Sequence, residues 1–190
     1  MCGITGVYDT RGASPVREAD LTRMRDSISY RGPESAGMYI SPDCSVGLGH
    51  RRLAIIDLSE AGHQPMRYEG SRIKDQGLTI TFNGEIYNFR ELRNELQKKG
   101  YEFKSQSDTE VILAAYAEWG PECVKRFNGM FAFAIWDEKS RTLFAARDHV
   151  GVKPFYYSFE NGVFLFGSEI KAILEYPLFK KEVCEESVPL

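Results

Sequence analysis

The residue with the most chemical potential in this sequence is the second one. Met1 is followed at once by Cys2, at a chain end where residues are normally poorly ordered and tolerant of change. If Met1 is removed, Cys2 carries a thiol nucleophile and a free α-amine that titrates near ~7.7–8.0. A nucleophile activated by the chain's own N-terminal amine is an established catalytic device. Taken alone, the dipeptide is better read as an accident of the translation start, so the rest of the chain has to decide.

Three later stretches carry groups that such a nucleophile needs. Arg51 and Arg52 open the apolar run Leu53-Ala54-Ile55-Ile56. An arginine beside an apolar strand can hold a carboxylate bidentately; by itself it is more simply a solvated charge at a strand end. Asn83-Gly84-Glu85 offers an amide donor and a glycine that admits close backbone approach. Together Asn83 and Gly84 can form an oxyanion hole, where each donor is worth ~2.7–4 kcal/mol, or a tight Asn-Gly turn; the two readings weigh evenly. Asp108 in isolation reads as a helix N-cap, a role open also to Ser107. Paired with Glu85, it could instead meet one α-ammonium group. Cys44, Cys123 and Cys184 read as small hydrophobes or surface thiols, and His50 as structural. No GxxxxGK[ST] or GxGxxG occurs, so a nucleotide site within these residues has no support.

The elements that must position these groups follow from periodicity and breakers. Gly3 to Tyr8 reads as a strand anchoring the N-terminus. Ser14-Pro15 has the form of a helix start running to about Ser29, and residues 30–37 form a loop of fixed shape. Strands are expected over Met38–Ser41, Ser45–His50 and Arg52–Asp57, then a long loop over 58–76. Leu78–Phe82 alternates as a strand does. Asn88 with Glu91 suggests a capping box for a helix that Gly100 stops. A second helix, from about Asp108, presents Val111, Ile112, Ala115, Tyr116 and Trp119 inward and ends at Gly120-Pro121. Gly129 to Asp137 is apolar on both faces, so it must be covered on both sides. Hairpins are expected around residues 138–140 and 160–162, and a last short helix over Ser168–Leu174. Parallel βαβ alternation is absent. The pattern predicts an α+β fold of two packed, mostly antiparallel sheets with helices outside each.

Composition excludes several classes. The chain has 190 residues, 43% of them hydrophobic, and a net charge of −3. That supports one large core, and no basic stripe points to nucleic acid or an anionic membrane. No apolar run reaches the ~18 residues of a membrane span, and no secretory signal opens the chain. Four scattered cysteines and three histidines lack disulfide-framework or metal-ligand spacing. The expectation is a soluble, cytoplasmic, metal-free protein.

These residues together resemble the glutaminase domain of class II (N-terminal nucleophile) glutamine amidotransferases, and most nearly the glutamine-dependent asparagine synthetase type. The resemblance is carried by Met1-Cys2-Gly3-Ile4, Arg31-Gly32-Pro33, His50-Arg51-Arg52-Leu53, Phe82-Asn83-Gly84-Glu85-Ile86-Tyr87-Asn88 and Ser107-Asp108-Thr109-Glu110. Gly129–Ala134, Arg147–Pro154 and Ser168–Ala172 continue it in family order, to about residue 175. It implies a four-layer αββα sandwich. It also implies Cys2 as nucleophile, Asn83 and the Gly84 backbone as oxyanion hole, and Arg52 on the glutamine α-carboxylate with backbone groups around Leu53, Ile55 and Ile56. Glu85 and Asp108 would hold the α-ammonium, and the α-ammonium of Cys2 would lower its thiol pKa. The implied chemistry is hydrolysis of the glutamine side-chain amide through a Cys2 thioester, with ammonia passed to a synthetase domain that uses ATP and magnesium. No cofactor is expected within this segment.

Two departures stand out. The family usually has aspartate after Arg-Gly-Pro, where this chain has Glu34. The ATP-dependent domain does not follow before Leu190, so residues 1–175 read as the glutaminase domain and 176–190 as a tail or linker of a fragment or free-standing subunit. Expected partners are L-glutamine and a synthetase domain or subunit, with a homodimer also open. The competing reading is a catalytically silent glutamine-binding or regulatory module that keeps Arg52, Glu85 and Asp108 but lacks a free Cys2 amine. A third is another amidotransferase of the same class.

Overall fold

A computed structural model describes residues 1–68 and 77–182; residues 69–76 and 183–190 lie outside the described residues. Part of the expected 58–76 loop and of the 176–190 tail, with Cys184, therefore falls there. In chain order the elements are β1 (Gly3–Asp9), α1 (Glu18–Asp26), β2 (Ser35–Ile40), β3 (Val46–Arg52), β4 (Met66–Arg67) and β5 (Leu78–Ile86). Then come α2 (Phe89–Lys98), α3 (Asp108–Trp119), β6 (Gly129–Asp137), β7 (Thr142–Arg147), β8 (Tyr156–Glu160), β9 (Val163–Gly167) and α4 (Ile170–Leu174).

The strand apolar on both faces, β6, shows how the layers stack. Its Phe131, Phe133 and Ile135 pack with Ile80, Phe82 and the buried stripe of α3. Its Ala132, Ala134 and Trp136 point the other way, into a second cluster with Ile4, Leu48 and Phe166. Strand geometry sends alternate side chains to opposite faces, so one sequence stretch serves two cores. A third cluster joins Val7 and Leu165 to Met24, Ile173 and Tyr176. The sheets run in the orders β2-β3-β1-β9-β8 and β4-β5-β6-β7, and every ladder is antiparallel. With α1 and α4 outside the first sheet and α2 and α3 outside the second, the expected four layers are present. Each fully buried Leu, Ile or Phe in these layers contributes about 1.5–3 kcal/mol.

Three local expectations are corrected, and one open alternative is decided. The first helix begins at Glu18 rather than Ser14. Asp9 draws in the N–H groups of Arg11 and Ser14, and Val16 N–H donates to Cys44 O at 2.8 Å, which keeps residues 14–16 out of the helix. The strands expected at Ser45–His50 and Arg52–Asp57 are one strand, β3, that stops at Arg52. Its neighbours β1 and β2 end their pairing there, so residues 53–57 have no ladder to join despite their apolar pattern. Asn88 makes no cap with its side chain; the amide bridges instead to Arg126 O and Asn128 N–H. Finally, Asn83-Gly84 is no turn. Both lie within β5, opposite Ala132 and Phe131 of β6.

Candidate active site

Cys2 immediately precedes β1, and β1 is a central strand. Ile4 exchanges two hydrogen bonds with Ser168, its N–H to Oγ at 3.0 Å and its carbonyl from N–H at 2.8 Å. Arg31 Nε donates to the Cys2 carbonyl at 3.0 Å, while Arg31 Nη1 pairs with Glu169 at 3.0 Å. The usual looseness of a chain end is removed. The Cys2 thiol sits 3.4 Å from both the N–H and the carbonyl of Leu53. Burial pushes the thiol above its ordinary pKa, and this outweighs the Leu53 backbone bond, the N-terminal charge, Arg52 and Lys153, which all pull it down. With Met1 in place, desolvation is the largest influence on this thiol, and the charges around it act in the opposite direction.

The thiol opens onto a cleft. One wall is the free edge of β5. Strand β4 covers this edge opposite Thr79 and Ile80. Beyond it, Phe82 N–H donates to Gln64 Oε1 at 2.7 Å and Ile86 N–H to Asp108 Oδ2 at 2.9 Å. N–H groups two residues apart in a strand point to the same edge, so the Gly84 N–H lies between these two and faces the cleft. Its opposite residue, Phe131, is turned to the far side, where it exchanges hydrogen bonds with Asp148. Gly84 has to be glycine: a Cβ there would lie 2.2 Å from Met130 O.

Asn83 points to the other face of β5. It is 1% exposed, and its Nδ2 is buried without a partner. Thr81, two residues earlier on that face, donates to Gly49 O of β3 at 3.1 Å, and His50 Nε2 contacts Phe82 O at 3.1 Å. These contacts advance in step along β3 and β5, so Asn83 faces the end of the first sheet where Arg52 and Cys2 lie. Asn83 does not itself line the open cleft. An orphaned buried donor costs about 1–3 kcal/mol, which a ligand oxygen would recover. His50 is buried and pushed down to about 3 by desolvation, so it is neutral and structural, as expected.

At one end of the cleft stands the start of α3. Ser107 is the N-cap, accepting from Thr109 N–H at 3.1 Å, and Arg93 grips the Ser105 and Ser107 carbonyls at 2.8 and 3.0 Å. Asp108 is therefore not the cap. It is 4% exposed, lines the cleft beside Glu85, and burial raises its carboxyl to about 6, with Glu85 adding to the rise and backbone N–H groups opposing it. Two carboxylates lining one cleft suit a substrate ammonium.

The opposite wall is residues 53–59. Arg52 is 8% exposed and donates through Nη2 to Asp57 O and, at 3.0 Å, to Ser59 O. Among the described residues both bonds use that one nitrogen, and the residue lines the cleft. Asp57 in turn accepts from Gln106 N–H at 3.0 Å, tying this wall to the loop before α3. Glu34 Oε2 accepts from Ala54 N–H at 2.8 Å.

Every site residue expected from the sequence thus sits in or against one cleft: Cys2, Arg52, Leu53, Ile55, Ile56, Gly84, Glu85 and Asp108 line it, and Asn83 stands behind it. Sequence reasoning missed Gln64, which spans from Phe82 N–H to Thr109 Oγ1, 3.3 Å from its Nε2; it lies in a polar stretch with no period and gave no signal. It also assigned no role to Glu34, although the Arg-Gly-Pro sequence before it had been noticed.

Comparison with known proteins agrees with this geometry. The family model described as a glutamine amidotransferase domain matches residues 1–189. Asparagine synthetase [glutamine-hydrolyzing] 3 of Bacillus subtilis is 48% identical over 96% of this chain and 29% of its own length. Putative asparagine synthetase [glutamine-hydrolyzing] 2 of Methanocaldococcus jannaschii is 44% identical over 92% of this chain and 35% of its own. The chain thus spans about a third of these relatives. In fold, it matches the glutamine phosphoribosylpyrophosphate amidotransferase of B. subtilis with a TM-score of 0.73 at 20% identity, over 92% of this chain and 43% of that one.

Proposed function

The chain belongs to the glutamine amidotransferase domain family, and on that footing we propose that it hydrolyses the side-chain amide of L-glutamine to glutamate and ammonia. One observation carries the reading: the Cys2 thiol opens onto a cleft lined by Gly84, Glu85 and the buried Asp108, with the unpartnered amide of Asn83 behind it. Cys2 is the nucleophile. With the thiol raised by burial, little thiolate forms spontaneously, so the proton must leave as attack begins. The neutral α-amine of Cys2, exposed by removal of Met1, takes it, with a bridging water relieving the cramped geometry. Sulfur attacks the amide carbon, and the oxyanion is stabilised by the Gly84 N–H and Asn83 Nδ2. The proton passes from the amine to the leaving nitrogen and ammonia departs. Water then hydrolyses the thioester to glutamate.

Recognition uses the two ends of the cleft. Arg52 binds the substrate carboxylate with backbone help from Leu53, Ile55 and Ile56; Glu85 and Asp108 bind its ammonium. Ammonia then serves a cytoplasmic amidation, asparagine formation being the reaction named for the relatives, carried by an ATP- and magnesium-dependent synthetase domain or subunit. The test is direct. Protein bearing Cys2 as its first residue, checked by intact mass, releases glutamate and ammonia in equal amounts from glutamine; Cys2→Ala keeps its circular dichroism and thermal midpoint but loses all turnover. Glutamate release by the Ala variant would refute the assignment.

A further inference from the structure

Lys153 lies outside the cleft's recognised parts, yet it is one of the most unusual residues in the molecule. It is 6% exposed, and lysine is almost never so buried without a carboxylate. Among the described residues its Nζ contacts the Met1 sulfur at 3.6 Å and has no acidic partner. Nor is its position left to chance. Asp148 accepts from the N–H groups of Val152 and Lys153 at 2.8 and 3.0 Å, while Arg147 holds the Gly151 and Lys153 carbonyls, each at 2.6 Å. A two-residue clamp thus aims an ammonium at the chain's first residues, and its charge acts on the Cys2 thiol.

We propose that Lys153 is a positioning residue for the N-terminal nucleophile: its ammonium, held against the N-terminus, keeps the Cys2 α-amine neutral and eases thiol deprotonation. This rests on the reading of Cys2 as nucleophile. A cation beside an amine disfavours the protonated form, and beside a thiol it favours the thiolate; both make proton transfer from sulfur to nitrogen available at lower pH. The other charged groups around Cys2 come from separate elements. Arg52 ends β3, Arg31 is already paired with Glu169, and Glu85 and Asp108 line the cleft onto which the thiol opens. Removal of Met1 takes away the sulfur contact.

The test compares wild type, Lys153→Met, Lys153→Gln and Lys153→Arg, each released from a fusion partner so that Cys2 is the first residue. Two profiles are read against pH: site-resolved iodoacetamide alkylation of Cys2, and kcat/KM for glutamine. The neutral variants are expected to move both ascending limbs up by about one pH unit, cutting rates at pH 6.5 roughly tenfold, with Lys153→Arg near wild type. Lower rates with unmoved midpoints in both neutral variants, or an Arg variant as impaired as the Met variant, would overturn the proposal and leave Lys153 a packing residue. An alkylation shift in a protein that makes no glutamate would support the role of Lys153 and refute the glutaminase reading instead.

Discussion

One wall of the cleft is the free edge of β5, backed by α3; the other is the irregular stretch 53–59. Phe82 and Asn83 on the first are 2% and 1% exposed, whereas Ile55 and Leu58 on the second are 59% and 78% exposed. The sheet wall is fixed by a ladder that runs the length of β6, so its donors stand ready without reorganisation. The loop wall has no ladder and is held by side chains that bond its backbone, those of Arg52, Asp57, Glu34 and Cys2. The difference teaches a division of labour. Donors for a developing charge gain from rigidity, because preorganisation is what makes them stabilising. A wall that contacts the constant carboxylate end of a substrate needs only to be closed, and side-chain straps suffice.

That contrast gives the predictions their order of size. Asn83→Ala removes a sheet-wall donor needed only as charge develops, so kcat should fall about 10²–10³-fold with little change in KM; steady-state kinetics with glutamine reads both. A KM effect alone would mean that the two walls are not divided in this way.

Asp108 is the next largest. Its carboxyl is raised to about 6 by burial, above the ordinary ~3.9 of an unfolded chain. The folded chain therefore holds this proton more tightly. The stability linked to Asp108 is full below the unfolded pKa and lost as pH rises through about 6. Substrate ammonium binding wants the opposite, ionised form. KM for glutamine should rise as pH falls through about 6, and Asp108→Asn should flatten that dependence while raising KM by about 10-fold or more at pH 8. The same variant should be about 1–2 kcal/mol more stable in urea unfolding at pH 8. A helix-capping role would give the reverse, a loss of stability with unchanged KM.

The smallest effect belongs to the loop wall. Glu34→Ala removes one acceptor from a partly exposed segment, a hydrogen bond worth about 0.5–1.5 kcal/mol. KM should rise about 2–10-fold with kcat within a factor of two or so, and Glu34→Asp, one methylene shorter, should fall between. An equal fall in kcat would show that the loop wall also shapes the transition state.

Much of this was legible before any coordinates. The two apolar faces of 129–137 required cover on both sides, and the absence of βαβ alternation required antiparallel sheets. Periodicity reports burial, and burial on both faces has few architectural solutions. The types of the chemical groups were legible too, because a thiol beside an N-terminal amine, an arginine and a carboxylate pair have intrinsic chemistry wherever they sit. What periodicity got wrong is equally instructive. Leu53, Ile55 and Ile56 read as a strand, yet a strand exists only where a partner supplies hydrogen bonds, and β1 and β2 stop at Arg52.

Tertiary structure alone settled that Asn83-Gly84 is strand and not a turn, because the same dipeptide suits both until β6 pairs with it. It settled, too, that Ser107 rather than Asp108 caps α3, which frees the carboxylate for the cleft. The burial of the Cys2 thiol belongs here as well: desolvation raises its pKa, and desolvation is a property of the folded surroundings. The roles of Gln64, Glu34 and Lys153 rest on contacts across 45, 20 and 152 positions of sequence. Such contacts follow from how the two sheets stack, not from any local pattern. The sequence by itself determined which layers form and which groups are chemically capable; the stacking of those layers decided which groups meet, and in which charge state they do so.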